Sequence, residues 1–90
     1  MSKIIKGSRV LVRTNSAGVH YGTLESRSGQ EIHLSNARRI WSWNGALSLS
    51  EIASTGIDIK NSKLSVSVDE IILPTAIEVI HISYKSNLPA

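Results

Sequence analysis

Short stretches of alternating apolar and polar residues, broken by turns rich in Gly, Asn and Ser, run along most of the chain. A period of two places successive side chains on opposite faces of a strand. In residues 8–14, Val10 and Val12 share one face, and Arg9, Leu11 and Arg13 share the other. A turn at 15–18, with Gly18 free to take positive φ, leads into a second predicted strand over 19–26. Ser28-Gly29 is a tight turn, and 31–34 alternates with Ile32 and Leu34 inward. Asn36 predicts a bend before a further strand over 38–43, which Asn44-Gly45 ends.

The period changes once. Ser48-Leu49-Ser50-Glu51 has the spacing of a capping box, in which Ser48 caps the backbone of Glu51 and Glu51 reaches back. Leu49, Ile52 and Ala53 then form the apolar face of one short helix, and Gly56 suits its end. Beyond it, 57–59 and 64–68 alternate again, with a hairpin predicted at Asn61-Ser62. Residues 69–73 lead into Pro74, which ends or edges a strand. Ile77, Val79 and Ile82 mark a last strand, and 85–90 reads as frayed. The expectation is a mainly β protein: a small, strongly bent β-barrel with one short helix plugging an end.

Ninety residues bound this to a single domain over 1–90, with an ordered core at about 4–84. A chain this short buries roughly 60–68% of its unfolded surface, which makes association a natural source of further burial. Cysteine is absent, which removes disulfides and thiolate metal sites. The longest apolar region, 71–82, is interrupted by Pro74, Thr75, Glu78 and His81, and residues 1–6 lack a leader's apolar run. No membrane association is expected, and the cytoplasm is the expected compartment. Charge is unevenly spread. Residues 1–45 hold seven Lys/Arg against two acids, and residues 46–90 hold three Lys against five acids. A basic half rich in arginine suits an anionic ligand, and the opposed halves suit head-to-tail contact between subunits.

The densest chemistry lies in Arg38-Arg39-Ile40-Trp41-Ser42-Trp43. Read as a strand, it puts Arg39, Trp41 and Trp43 on one face, where a guanidinium and two indoles can grip an anion and stack on a flat ring. Arg13 adds a guanidinium. His20 and Tyr21 follow a small-residue turn whose backbone N–H groups can form an anion nest. Signs of catalysis are weak. The three histidines have no metal-binding spacing, Asp69 and Glu70 point apart on a strand, and the serines at the helix start look like caps. No enzyme, metal or cofactor is expected.

Three segments carry a resemblance: VRTNSAGVHYGTL at 12–24, NARRIWSWNGA at 36–46 and VDEIILPTAIE at 68–78. Together they resemble a family of small, functionally uncharacterised bacteriophage and prophage proteins. That resemblance implies a phage origin and hence the host bacterial cytoplasm. Gly22-Thr23-Leu24, the turn at Gly29 and residues 32–37 are also similar to the bent strand pair of Sm-type small barrels. The helix between Gly45 and Gly56 departs from that fold, so no Sm-type RNA site is carried over. The leading expectation is a non-enzymatic phage-type protein that captures a small anionic, nucleotide-like ligand, sequestering a host immune signal. Its ligand-binding residues would be Arg39, Trp41, Trp43, Arg13, His20 and Tyr21. Enclosing a nucleotide needs more wall than one small domain offers, so a homo-oligomer is expected. The alternatives are a small-barrel nucleic-acid-binding protein and a protein–protein adaptor or inhibitor of a host enzyme.

Overall fold

Among the described residues, six strands and one α-helix form from this pattern: β1 (Arg9–Thr14), β2 (Val19–Ser28), β3 (Glu31–Ser42), α1 (Leu49–Thr55), β4 (Lys63–Leu64), β5 (Val68–Leu73) and β6 (Ala76–His81). The computed structural model describes residues 4–90; the first half of the segment weighed above as a leader lies outside them. All pairings are antiparallel. The path runs β4-β3-β2-β1-β6, and β5 joins the same edge of β3 as β4, further toward the start of that strand.

The long strand β3 is one element where the sequence predicted two. Asn36, expected to end a strand, takes φ 47° and stays within the ladder. Opposite it the register slips: Tyr21 pairs with Arg38 but Thr23 pairs with Ser35. That is a bulge with its extra residue on β3, and it bends and twists the strand without cutting it. Gly22 faces the bulge. A Cβ there would lie 2.8 Å from the Ser35 carbonyl oxygen, so only glycine lets the two backbones approach this closely. A second slip, between Leu24 and Ser26, puts an extra residue on β2 and adds to the bend.

The expected barrel is not formed, because the sheet is not closed. A two-residue connection, Pro74-Thr75, joins β5 to β6, yet each pairs with a different strand, β5 with β3 and β6 with β1. The connection itself is pinned elsewhere: Ala76 N–H bonds the Gln30 carbonyl and Asn15 N–H bonds the Thr75 carbonyl, at 2.9 and 3.0 Å. The product is a strongly bent open sheet.

Apolar residues collect on both faces of this sheet. Val10, Val12, Leu24, Ile32, Leu34, Ala37, Leu73 and Ala76 form the inner cluster, inside the bend. Leu11, Tyr21, Ile40, Ile52, Ala53, Ile57, Ile82 and Leu88 form an outer cluster under α1 and the C-terminal segment. Leu11, assigned by alternation to a polar face with Arg9 and Arg13, is therefore fully buried. The helix covers β1 and β6 from outside and does not plug an end. Its start is as expected in one respect: Ser48 Oγ accepts from Glu51 N–H at 3.2 Å. Glu51 reaches back one residue further, accepting from Leu47 N–H at 3.0 Å.

Two strand expectations fail in the following segment. Residues 57–59 run into a short 3-10 turn, Ile59–Asn61, and of the stretch predicted over 64–68 only Leu64 belongs to the two-residue β4 and only Val68 to β5. Asn44 accounts for part of this. Its backbone carbonyl accepts from Asp58 N–H and its side-chain amide donates to the Asn61 carbonyl, which folds the segment back on itself.

The expected fraying of 85–90 is also overturned. Ser86 Oγ donates to the Ile52 carbonyl, and the Asn87 side chain bonds both backbone groups of Ile57. Leu88 is buried, and Arg9 donates to the carbonyls of Leu88 and Pro89 at 3.0 and 3.1 Å. The tail is held because it supplies the far side of the outer cluster.

Gly56 links helix and tail. It ends α1 at φ 97°, and a Cβ there would collide with the Asn87 side chain. Gly18 has a similar φ of 84° with open space around it. Gly18→Ala is expected to lose only the left-handed conformational cost, about 1–2 kcal/mol. Gly56→Ala should lose more, because Asn87 must also be displaced. Urea midpoints of the two variants, measured side by side, report the difference.

Candidate functional site

The bulge at Asn36 decides which side chains of β3 meet. Beyond it, Ala37 takes the inner face while Ile40 enters the outer cluster, so Arg39 and Trp41 fall on the inner side. His20 on β2 is the direct cross-strand partner of Arg39. Arg39 Nε donates to His20 Nε2 at 3.1 Å, and its guanidinium carbon sits 4.8 Å from the centre of the Trp41 ring. Three of the residues singled out from the sequence thus form one unit.

Its electrostatics follow from burial. His20 is only 2% exposed. Burial, and then the Arg39 charge, lower its pKa from 6.5 to about 4, so the ring is neutral near pH 7. Since Nε2 accepts from Arg39, the ring proton resides on Nδ1, which is buried without a partner. Arg39 is thereby aimed by a neutral acceptor that leaves its charge uncompensated. The Arg13–Glu78 ion pair at 3.5 Å and the His33–Glu70 contact at 3.6 Å, the two such pairings among the described residues, involve neither Arg39, Arg38 nor Arg9.

Ser65, just past β4, holds this unit from the adjoining segment. Arg39 N–H donates to Ser65 Oγ at 2.8 Å, and Ser65 N–H returns a bond to the Arg39 carbonyl at 2.9 Å. Arg38 Nη1 donates to the Ser65 carbonyl at 3.1 Å. A cavity of about 150 Å³ opens here, with His20, Arg39 and Trp41 on its wall and Ala37, Val68 and Ile71 as apolar lining. On the other side of Trp41 the Ser16-Ala17-Gly18 turn borders a wider concavity of about 520 Å³, again with Arg39 and Trp41. Trp41 is 62% exposed and divides the two. In the turn, Ala17 N–H already donates to Thr14 Oγ1 at 2.8 Å, so the expected nest lacks one of its donors.

The other predicted site residues lie elsewhere. Trp43 follows the end of β3, past a register slip between Ile40 and Ser42, and packs half-buried on the outer cluster. It does not share a face with Arg39 and Trp41. A separate concavity places it near Arg13, whose guanidinium is paired with Glu78. Tyr21 is a core residue, 1% exposed, and its O–H donates to the Pro89 carbonyl at 2.7 Å. Burial raises its pKa, against the opposing charges of Arg38 and Arg9. Ser65, Val68 and Ile71 were not foreseen as site residues. They reach the cavity through long-range pairing with β3, for which sequence spacing carries no signal. Among the described residues, no three His, Cys, Asp or Glu side chains converge as metal ligands. No helix among them is long and apolar enough to cross a membrane.

Residues 7–88 match a family described as Domain of unknown function (DUF6948), and the chain belongs to that family. No curated protein and no solved structure matches it.

The two tryptophans now carry opposite expectations. Trp43→Ala should lower stability by roughly 1–3 kcal/mol, a part of the full core cost because the ring is half-buried. Trp41→Ala should stay within about 0.5 kcal/mol of wild type. Chemical denaturation of both variants distinguishes them. His20 predicts a pH dependence. Its folded pKa lies below the unfolded value, so its contribution is full above pH 6.5 and is lost as pH falls toward 4. The linked loss approaches roughly 3 kcal/mol. A His20→Gln variant should show a flatter midpoint between those pH values than wild type.

Proposed function

We propose that this member of the DUF6948 family is a non-enzymatic binding protein that captures a small anionic ligand carrying a flat ring, of the nucleotide class. One observation carries the proposal: Arg39 is held between a neutral His20 and an exposed Trp41, with no carboxylate among the described residues to meet its charge. An arginine so placed offers its remaining N–H groups to a phosphate, while the indole offers a face for a base. The family match gives no activity, so the proposal stands on this geometry together with the phage-type motifs. In that setting the ligand would be a host nucleotide signal, held and thereby withdrawn from its receptor in the bacterial cytoplasm.

The placement of the other candidates favours a small ligand over a nucleic-acid strand. A strand binder uses successive aromatic platforms and several free cations along a groove. Here Trp43 is committed to the outer cluster, Arg13 to Glu78, and Arg9 and Arg38 to carbonyls of the C-terminal segment. At this cavity the exposed Trp41 ring and the Arg39 guanidinium suit one base and one phosphate.

Calorimetric titration with mononucleotides, cyclic nucleotides and a short single strand at two salt concentrations tests this. Binding of a small nucleotide should change little with salt, whereas strand binding would fall steeply. Trp41→Ala should weaken nucleotide binding by roughly 1–3 kcal/mol, the usual loss of a stacking platform. Arg39→Ala should cost a similar amount as a charged hydrogen-bond donor is removed, roughly 1.5–3 kcal/mol. Trp43→Ala should leave affinity unchanged. If no nucleotide binds at either salt, ligand capture at Arg39 is wrong.

A further inference from the structure

The open sheet ends in β4 and β5 on one side and β6 on the other, and the two longer edge strands, β5 and β6, expose apolar residues. β5 pairs on one side with β3 and β6 on one side with β1; among the described residues the outer side of β5 has no backbone bond, and that of β6 has one at its first residue, where Ala76 N–H bonds the Gln30 carbonyl. Each edge is six residues long, with no lysine and no proline inside it. Val68 and Ile72 on β5 are 42% and 55% exposed, and Ile77 on β6 is 48% exposed. Such edges attract another strand unless lysine, proline or a covering element blunts them, and the charges these two carry are acidic.

Charge selects the pairing. The exposed side chains of β5 include Asp69 and Glu70. Two β5 strands laid antiparallel would bring these acids of both copies together, which is unfavourable. The groove beside β6 is lined by Ile4, Ile32, Ile77 and Val79 with Arg27, a cation outside the Arg13–Glu78 ion pair. It offers apolar contact and positive charge to an acidic, β-branched strand. On the one acid of β6 near this groove, Glu78, the charge is already met by Arg13.

We propose that β5 of one copy pairs with β6 of a second, head to tail, and that this contact completes the ligand cavity. The inference rests in its second half on the function proposed above. Val68 and Ile71 of β5 line the Arg39 cavity, so a strand added to that edge becomes its neighbouring wall. At about 150 Å³ the cavity of one copy is below the roughly 300 Å³ at which ligand pockets begin. Head-to-tail contact repeats on every copy, and a rotation that closes gives a ring.

Edge-blocking variants test the arrangement. Wild type should run in light scattering as a multiple of the 9.8 kDa chain. Ile72→Lys and Ile77→Lys, each on an exposed position, should be monomers with unchanged circular dichroism. Mixed together they should form a one-to-one heterodimer, because one intact β5 and one intact β6 remain. A wild-type monomer would overturn the proposal, and so would an Ile77→Lys variant that keeps the wild-type mass, since β5 would then pair with itself. Nucleotide titration separates the two claims. Loss of binding in the Ile72→Lys monomer supports cavity completion, and wild-type affinity in that monomer overturns it. A wild-type ring that binds no nucleotide leaves the interface standing and removes the function proposed for the cavity.

Discussion

Everything distinctive in this protein depends on the slip of β3 at Asn36. A strand with unbroken alternation would put residues 32, 34, 36, 38 and 40 on one face. The positive φ of Asn36 and the extra residue opposite Gly22 break that sequence. Ile32, Leu34 and Ala37 therefore build the inner cluster and Ile40 the outer one. One strand serves two cores. The same slip turns Arg39 and Trp41 toward His20 and turns Arg38 toward the C-terminal segment. Asparagine tolerates the left-handed region better than most residues, and glycine opposite it removes the side chain that would forbid the approach.

Two cores on one small sheet have an energetic logic. A single-sided sheet of this length would leave its other face to water and bury little. By covering that face with α1 and the tail, the chain buries Leu11, Ile40, Ile52 and Leu88 in addition to the inner cluster. The polar groups that burial would otherwise strand are met locally. Tyr21 O–H and Arg9 take tail carbonyls, and Asn87 takes both backbone groups of Ile57. Polar groups so met escape the penalty of unpaired burial. His20 Nδ1 is an exception, and it lies at the one place where Arg39 needs a neutral partner.

Local signals were legible in the chain and long-range ones were not. The β1 and β2 strands, the capped helix, and the β5 and β6 strands around Pro74 follow from alternation, caps and turn residues that act over a few positions. The open sheet does not follow, because alternation states which face a residue takes and is silent on which strand it meets. The site divided along the same line. Arg39 and Trp41 lie two apart on one strand, and their shared face was readable. His20 was singled out, but its pairing with Arg39 depends on β2–β3 register. Trp43 was assigned to the same face by extending the period past a slip that no local residue marks. Leu11 and the tail were misread for one reason: each looks polar in its surroundings and becomes apolar only when the other arrives.

That mutual dependence has a temporal side. Arg9 and Leu88, joined by a hydrogen bond, stand 79 positions apart. During synthesis the inner cluster has all its residues once Ala76 has emerged, while the outer one must wait for Leu88. A nascent chain therefore holds every residue of the inner cluster before it holds every residue of the outer one. Closure of distant segments is slow compared with local structure. Until Leu88 is made, the outer cluster lacks the residue that closes it over Leu11, so the last three positions of the chain decide whether that face of β1 is covered.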